Sequence, residues 1–402
     1  MRRAAAYERF AAGELPTEAE EVWRYSRISE LDLDAFAPVS DAEAAPAAAV
    51  PSSLQPLLDA VGERAGLVLT VDGRLASVEV DPALAAKGVA VGSLADLPEG
   101  DALLGTVSGP NDVFGNLHAA FLRDPVAVHV PAGVVVDRPV VVLHWVGRQG
   151  AAVFPRTIVV AEDGSEVTVV DVAASEDVRA LVVPTWELDA QHAANLRYLN
   201  VQLLGPRVWQ IGYQASRAAR DATLQSAMVA LGGDYARVRA DAKLTGEGGT
   251  SHLLAVYFGD RTQMHDFRTM QDHDAPRTTS DLLFKGAVED TARSVYTGLI
   301  RVKHGAAGTR ALQTNRNLVL SEGASANSVP NLEIEENDVS CSHASAVGPI
   351  DEEQRYYLEA RGIPTEVAER LIVLGFFDDV LERVPVPGLH AFLRAAVEAK
   401  LK

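Results

Sequence analysis

The feature that most constrains the fold is a stretch of about residues 125–348, in which short β-type runs follow one another with almost no helical periodicity. Turns that contain Gly, Asp or Pro separate these runs. The clearest runs are 134–145, 166–170, 197–203, 222–230, 235–244, 251–258 and 293–302. Because they recur about every 12–15 residues, they predict an all-β sandwich, barrel or solenoid.

The length of this region favours a solenoid. More than 200 residues is long for one sandwich, whereas a β-helix lengthens by adding coils. The turns at 232–234 and 246–249 are irregular, and neither a hexapeptide repeat nor a Gly-Gly-x-Gly-x-Asp repeat is visible. Spacing alone therefore favours a β-helix and leaves the other two architectures open.

Helical or mixed segments flank the β region, which predicts domains at 1–124, 125–348 and 349–402. Residues 1–36 are expected to be helical, with a capping box at Thr17 and Glu20. Residues 37–57 are rich in Ala, Pro and Ser, which predicts a flexible linker. Within 58–124, a strand is expected at 67–71 and a helix at 116–123.

The C-terminal segment predicts a series of helices that could cover an end of the solenoid or dock a partner. Asp351 is the expected cap of a helix that ends before Gly362. A second helix is expected from residue 364 to Gly375, a third from Phe376, and a last amphipathic one over 388–402.

Charge and composition exclude several classes of function. The formal net charge is -19, which disfavours nucleic acid and anionic membrane as partners. No apolar run approaches the roughly 20 residues that span a bilayer, and the N-terminus has no apolar core typical of a signal peptide. Cys341 is the only cysteine and cannot form an intrachain disulfide. These features predict a cytoplasmic protein.

Sequence motifs for catalysis are missing. The chain has no Gly-x-Ser-x-Gly elbow, no Gly-x-x-x-x-Gly-Lys-Ser/Thr phosphate loop and no Gly-x-Gly-x-x-Gly after a strand. We therefore expect no ATP hydrolysis and no bound nucleotide, and no enzymatic activity of the isolated chain.

A series of short motifs resembles one known family, that of the SufB and SufD iron–sulfur cluster assembly proteins. In order, the motifs are Asp-His at 272–273, Pro-Arg-Thr-Thr-Ser-Asp at 276–281, Lys-Gly at 285–286, Gln-Thr-Asn-Arg-Asn-Leu at 313–318, Pro-Asn-Leu-Glu-Ile at 330–334, Asp-Val-Ser-Cys-Ser-His at 338–343, Tyr-Tyr-Leu at 356–358, Arg-Gly-Ile at 361–363 and Gly-Phe at 375–376. The chain length, the opening at 21–26 and the Cys-Ser-His triplet resemble SufD more than SufB, and no cysteine accompanies 315–317.

This resemblance implies a right-handed parallel β-helix between two helical domains. It also implies a scaffold that pairs with a SufB-like paralogue through the β-helix and docks a SufC-like ABC ATPase through its C-terminal helices. A transient iron–sulfur cluster would form at the interface between the subunits. The isolated chain would be a monomer or a homodimer.

Cys341 and His343 are the candidate ligands of iron or of a cluster. Residues two apart on a strand point to the same face, and thiolate and imidazole both bind iron. Two residues cannot complete a four-ligand site, so a second subunit would supply the others. The residues with a candidate role in ATPase docking are Tyr356, Tyr357, Leu358, Arg361, Leu371, Phe376 and Phe377.

Two other interpretations stay open at this point. The acidic and histidine residues at 265–274 could form a metal site, although a structural role in polar turns is favoured. In a β-helix enzyme that modifies polysaccharides, they could instead form acid/base pairs on one face. A further hypothesis, a SufB-like homodimer with its own cluster, is disfavoured because two copies bring only Cys341 twice.

Overall fold

The computed structural model describes residues 2–40, 49–97, 100–110 and 112–401. The strands in these ranges are β1 Ala37–Pro38, β2 Gly66–Val71, β3 Arg74–Val80, β4 Ala90–Ser93, β5 Val126–Val130, β6 Val140–Val146, β7 Ala151–Val153, β8 Arg156–Ala161, β9 Glu166–Ser175, β10 Ala180–Val182, β11 Thr185–Ala190, β12 Asn195–Leu203, β13 Val208–Ala218, β14 Thr223–Ala230, β15 Tyr235–Leu244, β16 Thr250–Gly259, β17 Met264–His273, β18 Thr279–Val288, β19 Arg293–Val302, β20 Thr309–Val319, β21 Ser325–Ile334 and β22 Val339–Gly348. The helices are α1 Arg2–Ala12, α2 Gln55–Val61, α3 Pro82–Ala85, α4 Gly100–Leu103, α5 Val113–Phe121, α6 Glu352–Glu359, α7 Thr365–Leu381 and α8 Leu389–Glu398. None of the described helices is long and apolar enough to cross a membrane.

The β region forms a parallel solenoid of about eight turns, which confirms the predicted fold class. The chain alternates between two sheets, so that from β11 onward each strand pairs in parallel with the strand two later. The 12-stranded sheet runs in the order β21-β19-β17-β15-β13-β11-β8-β5-β4, with β1, β7 and β10 paired beside this path. The 10-stranded sheet runs in the order β22-β20-β18-β16-β14-β12-β9-β6-β2-β3. Strands of this kind have two covered faces over much of their length, which explains their long apolar runs.

One corner of the solenoid is a column of residues with positive φ. The amide of Gly164 donates to the carbonyl of His192 in the next coil at 2.8 Å, and Ala193 donates to Arg220 at 2.9 Å. The same geometry is filled by Gly133, Gly164, Ala193, Asp221, Gly248, Arg277 and Gly308. Because the corner requires a backbone conformation and not one side chain, no sequence repeat marks the coils.

The inside of the solenoid changes from apolar to polar toward its C-terminal end. The rings of Phe267, Phe284 and Tyr296 pack against one another inside the solenoid, with neighbouring centroids 5.5–5.6 Å apart. The next coil brings in amides: Asn315 Nδ2 donates to Tyr257 Oη at 2.9 Å, and Tyr257 donates to Asn317 Oδ1 at 2.7 Å. Tyr257, Asn315 and Asn317 thus satisfy one another's hydrogen bonds inside the solenoid.

The N-terminal segment differs from the prediction in two places. Residues 1–36 contain one α-helix, α1, followed by 3-10 turns at Glu21–Trp23, Ile28–Glu30 and Leu33–Ala35. The Thr17 amide still donates to Glu20 Oε1 at 3.1 Å, as in a capping box. The predicted linker is partly wrong, because β1 pairs with β7 and the chain is helical again from Ser52. The rest of that linker, 41–48, lies outside the described residues.

Strand β2 and helix α5 agree with the prediction for 58–124. Strand β2 pairs in parallel with β6 and in antiparallel with β3, so a segment before residue 125 extends one solenoid sheet. Strand β4 extends the other sheet through an antiparallel pairing with β5. These strands continue the stack at its N-terminal end.

Helix α6 begins and ends as predicted, whereas α7 continues through Gly375. Asp351 accepts from the amides of Glu353 and Gln354, and Gly362 has a positive φ of 82° after α6. The expected break between a second and a third helix is wrong, because α7 runs from Thr365 to Leu381. A glycine inside a helix lowers stability by only about 1 kcal/mol. Burial of the apolar face of α7 around Phe377 stabilises the helix by more than this.

These helices do not cover the C-terminal end of the solenoid, contrary to one of the two roles considered for them. Helix α7 packs against the outer face of β16 and β18, and α8 contacts α2. Lys285 of β18 fixes α7 by donating to Phe376 O at 2.9 Å and pairing with Asp379 at 2.7 Å. The last coil, formed by β21 and β22, is therefore left at the surface.

Candidate functional site

Cys341 and His343 lie on β22, the last strand of the 10-stranded sheet. In register, Cys341 lies opposite Ala311 and His343 opposite Gln313 of β20. Both β20 residues are buried toward the inside of the solenoid, so strand alternation directs the two candidate ligands to that same inner side. The expectation that they share one face agrees with this register.

The environment of Cys341 is mainly apolar. Its side chain is half-buried and packs against a cluster that contains Ile300, Val302 and Ala306. Burial raises the pKa of the Cys341 thiol, and a backbone hydrogen bond at Ala311 lowers it by less. The thiol is therefore protonated near neutral pH, and an approaching cation such as iron would have to displace this proton.

His343 is exposed, in contrast to Cys341. The residue beneath it, Gln313, is fully buried, and neither its amide oxygen nor its amide nitrogen has a hydrogen-bond partner among the described residues. A buried unpaired amide is costly. The inner surface beside His343 thus carries both a donor and an acceptor that the described chain does not use.

The described residues alone do not form a metal site. They contain no group of three or more His, Cys, Asp or Glu side chains that could hold a metal ion. Cys341 and His343 can supply a thiolate and an imidazole, which is half of a four-ligand set. Any cluster held here would need ligands from another chain.

The end of the solenoid at this site has two strand edges without partners among the described residues. Strand β22 pairs with β20 alone, and β21 pairs with β19 alone. Ser345 Oγ of β22 donates to Ser328 Oγ of β21 at 2.7 Å and ties the two edges together. Apolar side chains remain exposed beside them, including Leu332, Ile334 and Val347. An open edge of this kind can add a strand from another protein.

A second exposed surface is on α6 and α7. Tyr356 is 71% exposed, Tyr357 is 56% exposed and Leu371 is 44% exposed. The guanidinium of Arg361 lies 3.5 Å from the centroid of the Tyr357 ring and donates to the Tyr357 carbonyl at 3.0 Å. Such aromatic and arginine side chains are typical of protein interfaces. We call Tyr356, Tyr357, Arg361 and Leu371 the α6–α7 patch.

The remaining candidates for docking divide between half-buried and buried positions. Leu358 is half-buried, and Phe376 is half-buried beneath Lys285, whose Nζ lies 4.8 Å from its ring centroid. Phe377 is fully buried against Phe258. A direct partner contact by Phe377 is therefore incorrect for this conformation, and its role is to hold α7 on the solenoid.

The acidic residues at 265–274 and His273 have structural partners and lie mostly on β17, not in polar turns. His265 is the exception, because neither of its ring nitrogens has a hydrogen-bond partner among the described residues. Asp266 pairs with Arg237, and Asp272 pairs with Arg301 at 2.8 Å. His273 is within 2.8 Å of the Thr278 hydroxyl and 2.9 Å of the Ser280 hydroxyl. Burial lowers the pKa of His273 to about 4, so the ring is neutral at neutral pH.

The sequence did not reveal the structural basis of the Lys-Gly pair at 285–286. Lys285 anchors α7 as described above. A Cβ at Gly286 would collide with the ring of Tyr257, so only glycine leaves room for that ring. One sequence signal could have indicated the role of Lys285: it is a lysine within a strand whose other residues nearby are mostly apolar.

Comparison with known proteins gives one consistent result. Residues 144–376 match the family described as SUF system FeS cluster assembly, SufBD core domain. An iron–sulfur cluster assembly SufBD family protein of Mycobacterium tuberculosis is 34% identical over 320 residues, which cover 75% of this chain and 78% of that protein. SufD of Bacillus subtilis is 31% identical over 289 residues, with 71% and 66% covered, and SufD of Escherichia coli is 26% identical over 402 residues, with 96% and 89% covered.

Proposed function

The chain belongs to the SufBD family of SUF-system iron–sulfur cluster assembly proteins and is like its SufD members, and from this premise we propose that it is a non-catalytic scaffold subunit of an assembly complex. In this complex it pairs with a SufB-like paralogue and docks a SufC-like ABC ATPase. We propose the cytoplasm as its location, because a lone thiol stays reduced there. The cluster is cargo that forms between subunits.

The observation that carries the proposal is the open end of the solenoid. The edges of β21 and β22, which pair with no further strand among the described residues, offer backbone donors and acceptors to a second solenoid. Leu332 and Val347 add exposed apolar surface at the same end. Cys341 and His343 lie on the edge strand itself, so a paralogue that continued the stack would bring its own ligands next to them.

The ATPase is assigned to the α6–α7 patch because the exposed residues of this surface lie on helices and not on the edge strands β21 and β22. Tyr356 and Leu371 are exposed on helices whose other faces are held on the solenoid through Lys285 and Phe377. A force on these helices would reach the sheet directly through those anchors. The proposal therefore uses one surface for the paralogue and another for the ATPase.

Co-expression of the three proteins, followed by mass measurement of the purified complex, tests both assignments. Leu332→Asp with Val347→Asp should release the paralogue, since two charges would be buried at the shared edge. Tyr356→Asp with Leu371→Asp should release the ATPase and keep the paralogue. A complex of unchanged mass in both double variants would contradict the assignments, and recovery of neither partner with the wild type would contradict the function.

A further inference from the structure

A cavity lies apart from the open end and from the α6–α7 patch. It is enclosed by α1, α5, the 100–110 segment and the outer face of the 12-stranded sheet near β8 and β11. Its volume is about 550 Å³, which is within the range of roughly 300–1,000 Å³ typical of small-molecule sites. Its apolar lining includes Ala6, Leu94, Leu104, Ala119, Leu122 and Pro125.

The wall formed by the 100–110 segment is held in place by a buried carboxylate. Glu187 of β11, 1% exposed, accepts hydrogen bonds from the amides of Gly105 at 3.0 Å, Val107 at 3.1 Å and Ser108 at 3.0 Å. It also accepts from Arg156 Nε at 3.0 Å. Because its charge and its hydrogen bonds are both compensated, Glu187 fixes this segment against the sheet. The cavity is thus formed before any ligand enters.

The charge of the lining is opposite in sign to that of the chain. Four arginines line the cavity: Arg3, Arg9, Arg123 and Arg156. The lining carboxylates are Asp101 and Asp124, and Asp124 is paired with Arg74 at 3.1 Å. Even with Arg156 paired to Glu187, arginines outnumber carboxylates in the described lining, although the chain has a net charge of -19.

Two of these arginines have hydrogen-bonding capacity left. Among the described residues, Arg3 donates from Nε to Ala120 O at 3.0 Å, and Arg9 donates from Nε to Asn116 Oδ1 at 2.9 Å. Their terminal nitrogens remain for a ligand. Burial lowers the pKa of Arg123, and the positive charge of Arg3 lowers it further. An anion between these groups would offset their mutual repulsion.

His118 adds a buried polar atom without a partner among the described residues to the wall of the cavity. It lines the cavity and is 1% exposed, and its Nδ1 donates to Val183 O at 2.8 Å. Burial and the charge of Arg156 lower its pKa to about 3, so the ring is neutral. Its Nε2 is therefore a buried acceptor, and the described residues give it no donor. Nothing in the fold accounts for this unused atom.

We propose that this cavity binds a small molecule with an anionic headgroup and an apolar body. The headgroup lies against Arg3 and Arg9, and the body lies against the aliphatic side chains between α1 and α5. Arginine recognises carboxylate, phosphate and sulfonate groups through the same paired donors, so the shared chemistry is an amphiphilic anion. This site is additional to the scaffold role and does not depend on it.

Two fluorescent probes test the site on the full chain. One probe, 8-anilinonaphthalene-1-sulfonate, is an anion, and N-phenyl-1-naphthylamine is the same body without the sulfonate. The anion should bind at one site per chain and at least tenfold more tightly than the neutral probe. Ala119→Trp should weaken the binding of both, since the indole would fill the cavity. Equal affinity for the two probes would overturn the proposal, and so would displacement of the anion by inorganic phosphate alone at matching concentration.

A matched pair of double variants separates the site from general charge effects. Arg3→Gln with Arg9→Gln should weaken the anionic probe about tenfold or more and leave the neutral probe unchanged. Arg220→Gln with Arg261→Gln removes the same charge from exposed corners of the solenoid and should change neither. Wild-type affinity for the anion in the Arg3/Arg9 variant, or an equal loss in the control, would contradict the assignment.

Discussion

Phe377 of α7 and Phe258 of β16 pack edge to face, with ring centroids 6.4 Å apart and ring planes at 76°. Both side chains are fully buried. This contact holds the C-terminal helices on the outer face of one sheet, whereas Tyr356 and Leu371 of the same helices remain exposed. The helices therefore have an inner face for stability and an outer face for a partner.

Substitutions on the inner face should lower stability, whereas substitutions on the outer face should weaken binding of the partner. Phe377→Ala should lower the free energy of unfolding by about 3–5 kcal/mol because it leaves a cavity. Tyr356→Ala should change it by less than about 0.5 kcal/mol and should weaken ATPase binding. Urea unfolding and a binding titration measure the two quantities. A large loss of stability in Tyr356→Ala would mean that this ring is part of the core.

Two glycines should respond to alanine in opposite directions. Gly164 has φ +64° at the corner column and nothing within 4 Å of the methyl group that alanine would add, so Gly164→Ala should cost about 1–2 kcal/mol through backbone strain alone. Gly375 also has open space but is helical. Gly375→Ala should stabilise by about 0.5–1 kcal/mol. Thermal unfolding of the two variants checks the signs, and equal shifts would contradict this explanation of the corner.

The reactivity of Cys341 should show its raised pKa. Because only the thiolate reacts, alkylation by iodoacetamide should rise with pH through a midpoint above that of the same cysteine in the urea-unfolded chain, about 8.5. The unfolded chain is the matched control. A midpoint at or below the control would show that the thiol is not held in an apolar environment.

His265 should make the stability depend on pH. Burial and the charge of Lys400 lower its folded pKa to about 3, well below its unfolded value. Between these values the unfolded chain binds more protons, so stability is present at neutral pH and is lost as the pH falls. Between pH 7 and pH 5, the free energy of unfolding of His265→Leu should fall by about 2 kcal/mol less than that of the wild type.

A buried substitution that removes no titratable group supplies the control for that prediction. Phe377→Ala should be less stable at both pH values but should follow the wild-type dependence on pH. Urea unfolding at the two pH values gives the comparison. Identical losses in the wild type and in His265→Leu would show that the pKa of His265 is the same in the folded and the unfolded chain.

The sequence predicted those parts of the fold that depend on local chemistry. Period-2 runs indicated the strands, Asp351 and Gly362 marked the bounds of α6, and a spacing of two placed Cys341 and His343 on one face. The coil boundaries could not be predicted, because a corner that needs only positive φ accepts Ala193 or Arg277 as well as glycine.

Tertiary packing decided the features that the sequence did not predict. The break expected at Gly375 does not occur, because Val373, Leu374 and Phe377 are buried on both sides of it. The open end of the solenoid could not be predicted either, since an apolar helix does not reveal which surface it covers. Cys341 is half-buried because it packs against a cluster that includes Ile300 and Val302, whereas His343 is exposed on the same edge strand.

The most direct test of the central claim is the visible absorption of the reconstituted complex after anaerobic addition of iron and sulfide. The complex with the paralogue and the ATPase should show a cluster chromophore, and His343→Ala and Cys341→Ala should each reduce it while the mass of the complex is unchanged. Ser342→Ala, a change between them on the opposite face of β22, should leave it at the wild-type level. A chromophore of full intensity in the Cys341/His343 double variant would contradict the ligand role of this strand.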